Sequence, residues 1–360
     1  MLDPMLGLSP RAARVTWTVF AVTAGLIFLY VIRSTVGLFM TALFLAYMIW
    51  PMVAFVERHT PRWIGRTLAL TLVYIVFLGA LVAALVTLGA YLYEEASSFA
   101  QNIQGMIQKG HFLENLPSWL GPARDKIIDW IKSQFSSGGA ALIPYLQGAG
   151  QALRGTLSSA LYFILVPILA FFFIKDGRDM RAYFISLFGD ARRQTLANEI
   201  LTDIHTLLGH YIRVLITLAL FSVIIYSVFL GVIGVPYSVL LAFQAAILEF
   251  IPVIGPLIAG GIMITVAGFA GFSNLWVIVI FWLVYRFFQD YVLSPHLMHQ
   301  GVQIHPLVVL FGVLAGEQIG GVPGMFFSVP VIAVLRVILV RTRRSAASRR
   351  VMLPVEIETQ

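Results

Sequence analysis

The chain has 360 residues, of which 59% are hydrophobic and 11% charged, with a net charge of +7 and no cysteine. Soluble domains are roughly 45–50% apolar and about 25% charged, so a water-facing exterior cannot be built from this composition. The absence of cysteine excludes disulfides, thiolate zinc sites, iron–sulfur clusters and cysteine nucleophiles.

The unit to count is therefore the apolar span of about 20 residues, and the fold class expected is an all-α polytopic membrane protein in contact with the lipid bilayer. Arg11 and Arg14 precede an apolar run over 15–32. That run is too long for the core of a cleaved signal and is followed at once by another, so it reads as a retained first span. Further spans are expected over 35–56, 67–92, 153–174, 211–233 and 275–293.

Two other apolar stretches are interrupted: 238–269 by Pro252, Gly255 and Pro256, and 305–340 by Gly320, Gly321, Pro323, Gly324 and Pro330. At about 1.5 Å per residue each is too long for one perpendicular helix and short for two. Backbone broken at membrane depth is tolerated only against protein or a water-filled cavity, which makes both stretches candidates for a pathway lining; a long tilted helix with a proline kink is the plainer alternative. About eight transmembrane helices are expected, two of them broken or re-entrant. Six unbroken spans are already even in number, so both broken stretches either cross or return, and a single crossing by each is the reading adopted.

The layout divides into three spans in 1–92, an extracytoplasmic helical insertion in 93–152, a C-terminal membrane unit in 153–340 with a cytoplasmic helix over 176–208, and a basic tail in 341–360. In the insertion Leu92, Ala96, Phe99, Ile103 and Ile107 form one helical stripe, and Leu116, Trp119, Leu120, Ala123, Ile127, Trp130, Ile131 and Gln134 another. A further stripe, Leu196, Ile200, Ile204, Leu207, Leu208 and Tyr211, runs into the span at 211–233.

Arg58, Arg62 and Arg66, the group from Lys175 to Arg193, and the tail arginines fall on the side of the N-terminus if spans alternate. The positive-inside rule then makes both termini cytoplasmic. The same rule accounts for the net charge, so no nucleic-acid partner is expected.

Ionisable groups deep in hydrocarbon are functional candidates. Glu249 precedes the Pro252, Gly255 and Pro256 break and suits a proton or cation site, or else a structural role accepting hydrogen bonds from the broken backbone. Arg286 and Asp290, four residues apart, share a helix face and suit an intrahelical ion pair. Glu317 stands before the second break as Glu249 stands before the first. His205 and His210 are five apart with no intervening glutamate, so a zinc-protease reading fails and no metal site is expected. With no phosphate-cradling glycine loop and no GxSxG elbow, neither a nucleotide cofactor nor a catalytic residue is expected.

Several separated blocks occur in a recognisable order: Tyr211-Ile212-Arg213, Gly231 to Pro236, Leu248 to Pro256, Tyr291 to Pro295, His305 to Val309, Gly320 to Gly324 and Ser328-Val329-Pro330. In these the chain resembles the autoinducer-2 exporter family of membrane permeases. It departs from the family pattern at Val214, Val253, His299 and Pro323. The resemblance implies a homo-oligomeric permease of the bacterial inner membrane with about eight spans. It also implies a small-molecule or cation substrate, through export of an autoinducer-2-like solute or exchange of sodium or lithium for protons.

From the residues themselves, carriage driven by a gradient is the reading, with Glu249 as the coupling group. A membrane scaffold that docks a partner through the insertion and a channel without coupled transport are the alternatives. An intramembrane enzyme would need a facing nucleophile and base that the spans do not offer.

Overall fold

The computed structural model describes residues 10–59, 65–109, 126, 157–297 and 305–351, and every regular element among them is helical. In chain order these are α1 (Pro10–Val31), α2 (Arg33–His59), α3 (Arg66–Lys109), α4 (Leu157–Ser186), α5 (Ala191–Val232), α6 (Ser238–Leu248), α7 (Ile254–Phe269) and α8 (Leu275–Phe288). A π-helical turn Gln289–Leu293, a short α9 (Ser294–Leu297) and α10 (Pro306–Val351) complete the series. The stretches Arg33–His59, Thr67–Phe99, Ala191–Val232, Leu275–Leu293 and Pro306–Ser345 are long and apolar enough to cross a membrane.

The surface is inverted relative to a soluble protein: Trp17, Ile75, Val232 and Phe311 stand 69%, 61%, 81% and 72% exposed. Apolar surface on this scale is stable only against lipid or other protein. The second amphipathic stripe of the insertion, Leu116 to Gln134, lies outside the described residues. The first lies on α3, which runs unbroken past the expected span end at 92 and buries Ala96 and Phe99.

Among the described residues two cores hold the helices together. One joins α2, α3 and α4 through Ala42, Ile49, Leu70, Tyr74 and Ala170. The other joins α5 to α8 through Tyr226, Leu230, Ala242, Met263, Ile278 and Tyr285. α10 packs on both α2 and α5.

The amphipathic stripe from Leu196 to Tyr211 is continuous with the following span, as α5 is one helix of 42 residues. The single helix expected over 176–208 is instead two helix ends. The chain turns after Ser186, and Asp190 starts α5 by accepting a hydrogen bond from the Arg192 amide at 3.1 Å. Arg181 ties the two ends together, donating to Asn198 Oδ1 at 2.6 Å and Thr202 Oγ1 at 2.5 Å. The acceptor carboxylate and the glycine before it stop the helix where periodicity alone does not.

The two interrupted stretches both fold back. Ser222 meets Tyr285, Tyr226 meets Phe281 edge-on and Phe229 stacks on it, so α5 and α8 run antiparallel with Val232 and Leu275 at the same end. α6 begins at that end, where Ser238 approaches Gly231, and its last turn reaches Arg286 on α8. α7 then returns along α8, with Gly260 against the Trp282 ring.

The second stretch does the same from the opposite end. α10 breaks at Gly321, whose φ of 61° and ψ of −144° suit glycine alone. Its two halves pack antiparallel, Gly316 against Gly324 and Gly312 against Ile332. A Cβ on Gly324 would sit 1.9 Å from the Gly316 carbonyl oxygen. Pro323 falls in the first turn of the second half, where its missing N–H costs nothing, and Pro330 lies within the helix without breaking it.

Each stretch is thus a broken helix whose two halves pack antiparallel on each other. Close glycine contacts, invisible to hydropathy, hold the halves of each pair together. The pairs meet tip to tip, Phe250 and Phe326 with ring centroids 5.5 Å apart and Phe44 of α2 against both.

Candidate functional site

The break between α6 and α7 spans Glu249 to Val253. Ile251 N–H donates to Leu248 O at 2.9 Å and Gly255 N–H to Ile251 O at 3.0 Å, so much of the broken backbone is satisfied internally. Val253 carries a φ of 66°, and the Ile254 amide donates to Pro252 O at 2.7 Å. For a β-branched residue this is an outlier of the kind that collects at functional sites. Gly255 is required because a Cβ there would stand 1.8 Å from Leu248 O. Pro256, buried in the first turn of α7, needs no amide partner.

Three helices bring polar side chains to one level. Ser222 lies about 15 Å along α5 from Val232, Glu249 about 16 Å along α6 from Ser238, and Arg286 about 16 Å along α8 from Leu275. These distances are measured from a common end, so the three residues coincide in depth.

There Arg286 Nη1 is 3.3 Å from Glu249 Oε1 and Nη2 is 2.8 Å from Asp290 Oδ1. The side chains are unequally sheltered: Glu249 is 9% exposed, Arg286 26% and Asp290 43%, so Glu249 is the inner carboxylate and Asp290 the outer. Glu249 also sits at the C-terminal end of α6, where the helix dipole opposes a negative charge. The guanidinium offsets that cost.

Neutral groups complete the cluster. The Ser222 hydroxyl, wholly buried, lies 3.5 Å from Glu249 Oε2, to which it donates, and 3.2 Å from the Tyr285 hydroxyl. Gln289, 2% exposed in the π-helical turn, accepts from Arg286 Nη1 at 3.5 Å. Its Nε2 group is buried without a hydrogen-bond partner among the described residues. π-turns recur at functional sites because they shift one side chain out of helical register.

The structure therefore joins three of the four ionisable candidates, Glu249, Arg286 and Asp290. Glu317 is exposed and takes no part. Of the break residues, Pro252, Gly255 and Pro256 shape the tip that carries Glu249, whereas Gly320, Gly321, Pro323 and Gly324 build the opposing tip. Among the described residues no three histidine, aspartate or glutamate side chains are grouped to hold a metal ion.

The family model for AI-2E family transporters matches residues 19–344. The chain belongs to the AI-2E transporter family. It is 25% identical to YrrI of Bacillus subtilis (strain 168) over 311 residues, 84% of this chain and 85% of that one. It is 24% identical to PerM of Escherichia coli (strain K12), named as a permease, over 83% of this chain and 85% of PerM. TqsA of the same strain, named as an AI-2 transport protein, is 23% identical over 84% of this chain and 85% of TqsA. As an AI-2E member this is a membrane protein of a transporter family, and its ion cluster lies inside the matched region.

Sequence reading missed Ser222, Tyr285 and Gln289. A glutamine inside the apolar run Val277 to Leu293 was a usable signal; a serine and a tyrosine in such helices are not.

Proposed function

We propose that this AI-2E protein is a secondary transporter of the bacterial inner membrane, and that Glu249 is its coupling group. The observation that carries the proposal is that two carboxylates, Glu249 and Asp290, share the single guanidinium of Arg286. With both ionised the cluster holds one negative charge in excess. About 15 Å from the helix ends is the middle of a hydrocarbon layer about 30 Å thick, where an unbalanced charge is costly. Binding a proton or an alkali cation removes that cost, and release to the other side restores it.

The path through the membrane fits six crossings, by α1 to α5 and α8, with α6–α7 and the α10 halves as re-entrant pairs entering from opposite faces. The arginines at the Arg181, Arg192 and Arg341 end favour that face, and both termini, as cytoplasmic. Apposed broken segments around a central site are a recurrent device of secondary transporters. The carried species is a monovalent cation exchanged for protons; export of an autoinducer-2-like solute is the second reading, favoured by the name of TqsA.

The test is reconstitution in liposomes under a sodium or lithium gradient, following internal pH for the natural chain and Glu249→Gln. Cation-dependent proton movement that vanishes in folded Glu249→Gln supports the proposal. Movement unchanged in the variant removes Glu249 from the mechanism, and no movement in either turns attention to the organic solute.

A further inference from the structure

α6 begins without a cap of its own. Its N-cap position is Tyr237, held at a φ of 61° and making no side-chain capping bond, and the residue before it is Pro236. The first amides of a helix have no partner within it and must find one outside. The partner comes from α3: Glu95 Oε2 accepts the Leu240 amide at 2.9 Å across 145 residues of sequence. One turn further along α3, the Phe99 ring meets the Tyr237 ring edge-on at 5.3 Å.

We infer that Glu95 is a positioning residue that seats the α6–α7 pair and thereby fixes the depth of its tip. α6 is a rod of 11 residues, about 16 Å, with Glu95 holding one end and Glu249 at the other. A carboxylate at the N-terminal end of a helix is also favoured by the helix dipole. Among the described residues no other side chain bonds an α6 amide from outside the pair, so loss of this bond frees the base of the rod while leaving the α5–α8 aromatic stack in place. Release and reseating of this bond is the motion by which the tip leaves and regains Arg286. The inference rests on the reading of this protein as a transporter with Glu249 as its coupling group.

The absence of cysteine allows a direct test. Ile251 at the tip is 6% exposed, and Ile49 in the α2–α4 core is fully buried. Each is replaced singly by cysteine in the full chain in nanodiscs, and the rate of reaction with a charged maleimide is followed. Loss of a charge-assisted hydrogen bond should raise the labelling rate of Ile251→Cys about tenfold in Glu95→Ala. Glu95→Gln, which keeps the carbonyl acceptor, should stay near the natural rate, and Ile49→Cys should not change.

Glu95→Asp, one methylene short of the amide, repeats the comparison with the charge retained should the alanine variant not fold. An unchanged rate at Ile251→Cys in both Glu95→Ala and Glu95→Asp overturns the inference, as does an equal rise at Ile49→Cys, which reports general loosening. The readout needs no transported solute, so a failed flux assay and a failed seating of the tip are separate outcomes.

Discussion

The rings of Phe250 and Phe326 lie with centroids 5.5 Å apart, one at the tip of the α6–α7 pair and the other just past the break in α10. Residues 76 positions apart in sequence, on elements entering from opposite ends, thus close on each other beside Phe44. In Phe250→Cys/Phe326→Cys, a short bifunctional thiosulfonate should link the two thiols, whereas Phe250→Cys/Phe311→Cys should remain unlinked, as read by a shift on gel electrophoresis after protease cleavage between the sites. Linkage of the control pair, or none of the first, would show that the tips do not meet.

Removing Arg286 strands Glu249, whose side chain is only 9% exposed. Breaking one side of a buried pair costs about 3 kcal/mol or more, while removing both partners costs much less. Arg286→Met should therefore lower thermal stability in detergent clearly, and Arg286→Met/Glu249→Met should recover most of the loss. Equal losses in the single and double variants would make the pair energetically irrelevant.

The glycines of α10 should differ sharply. Gly316→Ala and Gly324→Ala drive a Cβ into opposing backbone, 2.3 Å from Gly324 O and 1.9 Å from Gly316 O respectively, where nothing flexible can yield. Overpacking costs typically 1–3 kcal/mol and more against backbone, so both should give little folded protein by size-exclusion chromatography. Gly320→Ala meets nothing within 4 Å and should fold normally.

Arg341 donates to both oxygens of Asp203, at 2.6 and 3.0 Å, and to Glu199 at 3.0 Å. The fork geometry belongs to arginine, not to lysine. Arg341→Lys should accordingly behave like Arg341→Ala and expose the end of α10 to faster trypsin cleavage after Arg336; protection retained by lysine would assign the contact to charge alone.

Much of this was legible in the sequence, for identifiable reasons. Spans announce themselves through hydropathy, and Glu249 stood out because a carboxylate beside a proline break in an apolar run is costly unless a partner or a ligand meets it. The Arg286 and Asp290 pair follows from helical spacing. What spacing could not supply was the third partner: Glu249 is 37 positions from Arg286, and only the return of α6 beside α8 brings them together. The direction of the broken stretches was likewise open, although glycines at 312, 316, 320 and 324 recur every fourth residue, the spacing that lets helices approach closely. Taken as a packing signal rather than as breakage, that series pointed to a pair.

The contact of Gly316 with Gly324 has a mechanical consequence. Backbone pressed on backbone leaves the two halves of α10 no freedom to slide past each other, so they travel as one body. From Gly321 to Arg341 is about 30 Å of helix. The paired helices therefore form one stiff body reaching from the tip to Glu199 and Asp203 at the arginine-rich end of α5.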